Sequence, residues 1–125
     1  MEKKISYLAS PYSHPSPVKR HERYLTACYV ASLMIRKGIL VFSPIASSHS
    51  ISTNLSGESY GWDFWKEFDL AIIEVCKDFY ILTIDGWDKS VGVTAEIQHA
   101  KKLGLPIYTV NENGTTNWMN SISKE

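Results

Sequence analysis

The chain has 125 residues, the length of one domain, and at 44% hydrophobic and 12% aromatic it carries enough apolar side chain for a core. Its 13 basic and 13 acidic side chains cancel, which excludes the basic footprint of a nucleic-acid binder. It has no apolar run long enough to span a bilayer, no signal-peptide pattern and two isolated cysteines, Cys28 and Cys76, so a cytoplasmic chain with reduced thiols is expected.

Ile5 to Ala9 is a short apolar run ended by Ser10-Pro11, the pattern of a strand that stops there. Residues from about Ser16 to Lys37 have helical spacing, with Tyr24, Ala27, Cys28, Ala31, Met34 and Ile35 as the buried stripe and Gly38 as the terminator. Ile39 to Phe42 is a second strand, again ended by Ser-Pro. Ser47 to Gly61 is rich in Ser, Asn and Gly and is expected to be a long loop. Trp62 to Cys76 is helical, Phe79 to Ile84 a third strand, Asp85 to Lys89 a polar turn, Val91 to Leu103 a helix ended by Gly104, and Ile107 to Val110 a fourth strand. The domain is expected over residues 1–110. Residues 111–125 form a polar, weakly patterned tail, in which Asn117, Trp118 and Met119 are candidates to cross to a neighbouring copy.

Strands alternating with helices imply right-handed βαβ units in an α/β fold, a three-layer Rossmann-like or flavodoxin-like arrangement on a short parallel sheet of four to five strands. Ligands bind such sheets at the carboxyl ends of the strands, where the strand order reverses. The site is therefore expected at Ser10 to His14, Pro44 to His49 and Asp85 to Gly92.

The segment Ser90-Val91-Gly92-Val93-Thr94-Ala95-Glu96 follows a strand and opens a helix. Ser90 is placed to cap that helix, and Gly92 allows close approach to the backbone. The free N–H groups there favour an anion such as a phosphate. Glu96 lies four residues before Ala100 and seven before Leu103, so it borders the apolar stripe. Two readings stay open for it: a half-buried carboxylate poised for chemistry, or a solvated residue near the positive helix end. Asp69, one helix before the third strand, is either a surface aspartate or the second carboxylate of a glycosidic pair, in which one group attacks the sugar carbon and the other protonates the leaving group.

Tyr7 is a core aromatic or a contact to the site. Ser10, Tyr12, Ser13 and His14, followed by Arg20 and Arg23, hold a phosphate or remain on the surface. Trp62, Trp65 and Trp87, with His49, are base-side candidates whose alternative is core packing. His14, His21, His49 and His99 have no metal-ligand spacing. There is no GxGxxG, Walker A, GxSxG or Cys–His pattern, and neither a metal nor an organic cofactor is expected.

These residues resemble the nucleoside 2-deoxyribosyltransferase superfamily, and within it most closely the nucleoside 5′-monophosphate N-glycosidase branch. The likeness is carried by Ile5-Ser6-Tyr7-Leu8-Ala9-Ser10-Pro11-Tyr12, by Glu67-Phe68-Asp69-Leu70 with Asp78 beyond it, and by the SxGxxxE pattern from Ser90 to Glu96. It covers residues 5–110. It implies Glu96 as the nucleophile on the anomeric carbon, Asp69 assisting the departing base, and Tyr7 orienting the nucleophile or touching the sugar. Superfamily members acting on free nucleosides tend to carry an aspartate at the position of Ser90, and the monophosphate hydrolases a serine. A serine donates to a phosphate that an aspartate would repel.

The implied reaction is a double displacement with no cofactor, its two carboxyl groups roughly 5 Å apart. The implied partner is a small-molecule nucleotide or nucleoside, on a homo-oligomer whose site is built at the subunit interface. The Asp85 to Lys89 loop is longer than the hydrolase pattern and adds the charges of Asp85 and Asp88, and the Ser47 to Gly61 stretch has no counterpart. Two other functions fit the same residues: transfer of deoxyribose between bases, and a non-catalytic nucleotide-binding or sensor module.

Overall fold

The structure, a computed structural model, describes residues 2–55 and 61–119. Its elements alternate as the sequence pattern requires: β1 (Ile5–Ala9), α1 (Pro17–Arg36), β2 (Val41–Phe42), α2 (Pro44–Ser52), α3 (Trp62–Glu74), β3 (Cys76–Leu82), a single 3-10 turn (Trp87–Lys89), α4 (Val91–Lys102), β4 (Ile107–Val110) and β5 (Thr116–Trp118). The sheet order is β2-β1-β3-β4-β5. The first four strands are parallel, and β5 pairs antiparallel with β4. This is a flavodoxin-like α/β fold, with its switch point between β1 and β3.

Strand alternation sorts the core into two layers. Tyr7 and Ala9 of β1, Phe79 and Ile81 of β3 and Ile107 of β4 face α3 and α4, where they meet Ile73, Val93 and Ala100. Leu8, Tyr80, Leu82 and Val110 point to the opposite face, against Ala27, Val30, Ala31 and Met34 of α1. Of the stripe read for α1, Ala27, Ala31 and Met34 are buried, whereas Ile35 is exposed and Val30 takes a core place instead. Pro17 at the helix start and the Ser16 side chain, which accepts from the Lys19 N–H at 3.3 Å, set where α1 begins.

Besides β2, which begins at Val41 rather than Ile39, three elements differ from the sequence reading. The expected loop from Ser47 to Gly61 begins inside α2, because Ser43 caps Pro44 and accepts from the Ala46 N–H at 3.2 Å; the rest of that expectation includes residues 56–60, which lie outside the described residues. β3 begins at Cys76 rather than Phe79. A register shift pairs Ile5 with Cys76 and Ser6 with Asp78, so an extra residue turns Cys76 and Phe79 to the same face and hides the strand's alternation. In the tail, Thr116–Trp118 is a strand and Met119 is buried against the α3/α4 face instead of being offered to a neighbour; residues 120–125 lie outside the described residues. Asn111 makes that return, accepting from the N–H groups of Asn113 and Thr115 through its side chain.

Candidate functional site

A pocket of about 400 Å³ opens over the carboxyl ends of β1 and β3. The first βα loop contributes Ser10, Tyr12, Ser13 and His14, and α1 contributes Arg23. Ile45 and Ser48 come from α2, Trp62, Trp65 and Asp69 from α3, and Gly86 and Lys89 to Glu96 from the 3-10 turn and α4, except that Thr94 and Ala95 face elsewhere. All three segments expected from topology meet here.

The floor of the pocket is a pair of carboxyl groups. Glu96 is 4% exposed and Asp69 7%. The Tyr7 hydroxyl, itself fully buried, donates to Glu96 Oε2 at 2.7 Å. The Asp69 and Glu96 carboxyls lie close enough to perturb one another's titration, and among the described residues the buried Asp69 Oδ1 has no hydrogen-bond partner.

Burial drives the electrostatics. It raises the Asp69 carboxyl from its ordinary value to about 6, against a lowering contribution from its hydrogen bond to Glu96. It raises Glu96 well above the usual carboxylate range, with the Tyr7 hydrogen bond pulling the other way and the Asp69 charge adding to the rise. Tyr7 is itself held well above the ordinary phenol value, by burial first and by the Glu96 and Asp69 charges next. Ionising both carboxyls at once is therefore disfavoured, the condition of two carboxyl groups that share a site.

The rim of the pocket carries hydrogen-bond donors and basic side chains. Ser90 caps α4, its hydroxyl accepting from the Val93 N–H at 3.1 Å. The first-turn N–H groups of Val91 and Gly92 then have no intrahelical acceptor. Among the described residues the Ser10 hydroxyl, buried at the pocket wall, has no hydrogen-bond partner. Lys89 lines the same pocket. Arg23 spans the switch point: Nη1 donates to the Ser13 carbonyl at 3.0 Å and Nη2 to the Asp85 carbonyl at 3.5 Å. Its guanidinium lies over Gly86, whose φ of +92° suits glycine and where an added Cβ would come within 2.6 Å of Nη2. The side chains of Asp85 and Asp88 do not line the pocket and are exposed, so their charge is solvated rather than aimed into it.

The base-side candidates separate. Trp62 and Trp65 line the pocket. Trp62 packs on Gly92, where a Cβ would sit 3.2 Å from the indole, so this glycine makes room for a tryptophan as well as for a ligand. Trp87 packs instead against the core beneath α4. His49 stands behind the pocket wall, its ring stacked on Tyr24 at 4.0 Å and its Nδ1 hydrogen-bonded to the Tyr12 hydroxyl at 2.8 Å. Arg20 reaches the carbonyls of His14 and Pro15 and fastens the first loop. Lys89 and Gly61 were not singled out by sequence; a lysine in a polar turn gives no signal of facing inward. Among the described residues no group of three or more His, Cys, Asp or Glu side chains is arranged to hold a metal ion, and no helix is long and apolar enough to cross a membrane.

The fold and the pocket define an α/β domain of flavodoxin-like strand order, with a buried carboxyl pair under a rim of donors and basic side chains. The chain belongs to the DUF1937 family, described as a domain of unknown function, whose model matches residues 4–112. A comparison with curated proteins gives no match. Among solved structures, the 2-deoxyribosyltransferase from the psychrotolerant bacterium Bacillus psychrosaccharolyticus has a similar fold, with a TM-score of 0.59 and 20% identity over 86% of this chain and 72% of that one.

Proposed function

We propose that this protein is an N-glycosidase that breaks the base–sugar bond of a nucleoside 5′-monophosphate. The observation that carries the reading is the buried Tyr7–Glu96–Asp69 array at the floor of a pocket whose rim presents Ser10, Arg23, Lys89 and the start of α4. The carboxyls supply the chemistry of a retaining glycosidase, and the rim supplies the counter-charge for a phosphate.

The steps follow from the positions. The reaction needs Glu96 ionised and the proton on Asp69, the reverse of what burial favours at rest; the Tyr7 hydrogen bond to Glu96 and the positive charge developing on the sugar favour that arrangement. A Glu96 carboxylate oxygen attacks C1′. The N-glycosidic bond breaks, its electron pair goes to the base nitrogen, and Asp69 delivers the proton that makes the base a neutral leaving group. Water then attacks C1′ of the glycosyl ester while Asp69 takes its proton. Free base, sugar 5-phosphate and the Glu96 carboxylate result. Trp62 and Trp65 offer the apolar faces on which the base rests.

The likeness of fold to a 2-deoxyribosyltransferase favours a second reading, in which an incoming base rather than water accepts the sugar. Incubation with ribo- and deoxyribonucleoside 5′-monophosphates and their free nucleosides, with chromatography of the released base, separates the two. Base release from monophosphates that is indifferent to added acceptor base supports hydrolysis. Release from free nucleosides that needs the acceptor supports transfer. No turnover of any member overturns both and leaves a nucleotide-binding module. The homo-oligomer implied by the family resemblance is read by light scattering under the same conditions; a monomer that turns over substrate contradicts it.

A further inference from the structure

Sequence assigns Gly92 to close approach of a ligand, but the structure puts a protein group there first. Gly92 is the second residue of α4 and its φ is not positive, so the backbone does not call for glycine. Inside a helix glycine is a poorer residue than alanine. A Cβ added at this position would stand 3.2 Å from Cε3 and 3.6 Å from Cδ2 of Trp62, and 3.9 Å from the Ser90 hydroxyl oxygen. Only Cε3 is nearer than the roughly 3.5 Å at which carbon atoms ordinarily touch. The group that a side chain at 92 would disturb is therefore the Trp62 indole. We propose that Gly92 is a positioning residue that acts through Trp62: its missing side chain seats the indole on the first turn of α4, and the seated indole sets the width of the ligand space. This rests on the function proposed above.

Trp62 is the first residue of α3, whose N-cap, Gly61, makes no side-chain hydrogen bond to hold the helix start. The indole holds that start by lying across the first turn of α4. Gly61, Trp62 and Gly92 all line the pocket. Asp69 lies about two turns further along α3, and Glu96 about one turn further along α4. The seat thus joins the two carboxyl-bearing helices at their pocket ends. At their far ends the same helices are tied by His99 Nε2 and Glu74 Oε2 at 3.1 Å.

A methyl group at 92 would push the indole away by a few tenths of an ångström. Packing between flat rings weakens over displacements of that order. The Ser90 cap, at ordinary contact distance from the same methyl, is not disturbed. Glycine at 92 is thus a condition for packing a flat heterocyclic base beside Trp62, and not for the approach of a phosphate to the backbone.

The test has two arms. In ligand-free protein, the indole N–H signals are read by NMR. The Trp62 signal, assigned by its loss in Trp62→Ala, is expected to move in Gly92→Ala, while that of Trp118 on the edge strand stays in place. An unmoved Trp62 signal overturns the proposal. In the second arm, affinities for a deoxyribonucleoside 5′-monophosphate are measured in the non-reacting Glu96→Gln background. Gly92→Ala is expected to weaken binding about fivefold and Trp62→Ala about tenfold. The double variant is expected to bind no more weakly than Trp62→Ala alone, because the methyl then has room. A Gly92→Ala loss that persists in full beside Trp62→Ala means that the ligand itself needs the bare backbone, and it overturns the proposal. Binding unchanged by Gly92→Ala overturns it too. Absence of monophosphate binding in the parent background counts against the proposed function, and the NMR arm then decides the seat alone.

Discussion

Glu96 is a carboxylate that the fold makes hard to ionise, and that cost defines the site. A group held neutral by burial destabilises the protein whenever it must carry charge. Glu96→Gln is therefore expected to lower base release by at least about 10³-fold, the loss typical of a removed nucleophile, while raising the melting temperature by about 5 °C. Calorimetry and the base-release assay on the same preparation check both. Tyr7→Phe removes a hydrogen bond to a charged group, worth about 1.5–3 kcal/mol, so kcat/KM is expected to fall about 10–100-fold. The pH profile of kcat/KM is expected to be bell-shaped. Its acid limb falls near pH 6, where the pair gains its second proton, and it moves to higher pH in Tyr7→Phe because the favourable contact to ionised Glu96 is lost. A flat profile between pH 5 and 8 contradicts the shared-proton account. Helical spacing put Glu96 at the edge of its apolar stripe, which is as far as residue-level reading reaches. Its bond to Tyr7 crosses 89 residues of sequence, and no local pattern encodes such a contact.

The N-terminus of α4 couples stability to selectivity. Ser90→Ala removes the cap and is expected to cost about 1 kcal/mol in urea denaturation. Ser90→Asp keeps a good cap but places a negative charge at the anion-receptive rim. Its stability is expected to stay close to that of the parent, while KM for a monophosphate rises at least about tenfold and free nucleosides are affected much less. Equal effects on both ligand classes contradict a phosphate at this rim. The long periodic elements α1 and α4 were legible in sequence because their caps and apolar stripes agree, and α3 was legible by its apolar residues alone, since Gly61 makes no side-chain cap. α2 was not, since Pro44 to Ser52 is mostly small and polar and its signal was only the Ser-Pro start. β5 was hidden for a related reason: Thr116 to Trp118 is short and exposed on the sheet edge, so no alternation marks it.

At the scale of the molecule, the order β2-β1-β3-β4-β5 sets where a ligand sits, and the switch point is where the two loops tied by Arg23 converge. Strand and helix alternation made this edge legible before any contact was known. The tie itself was not, because it depends on a glycine at +92° beneath a guanidinium. Gly86→Ala is expected to destabilise the fold by about 1–3 kcal/mol through backbone strain, and to weaken ligand binding through displacement of Arg23. The pair also gives the whole fold a pH dependence. Asp69 binds its proton more tightly folded than unfolded, so its stabilising contribution is complete below about pH 4 and is lost as pH rises through about 6. Asp69→Asn removes that loss, and its stability is expected to gain on the parent across this window by up to about 3 kcal/mol.

The central claim is that Glu96 bonds covalently to the sugar. Rapid acid quench of the protein during reaction with a deoxyribonucleoside 5′-monophosphate, followed by peptide mass mapping, reads it directly. The expected result is one deoxyribosyl phosphate on the peptide bearing Glu96, absent from Glu96→Ala, which also releases no base. Base release that continues undiminished in Glu96→Ala, with no adduct on the parent, would contradict it.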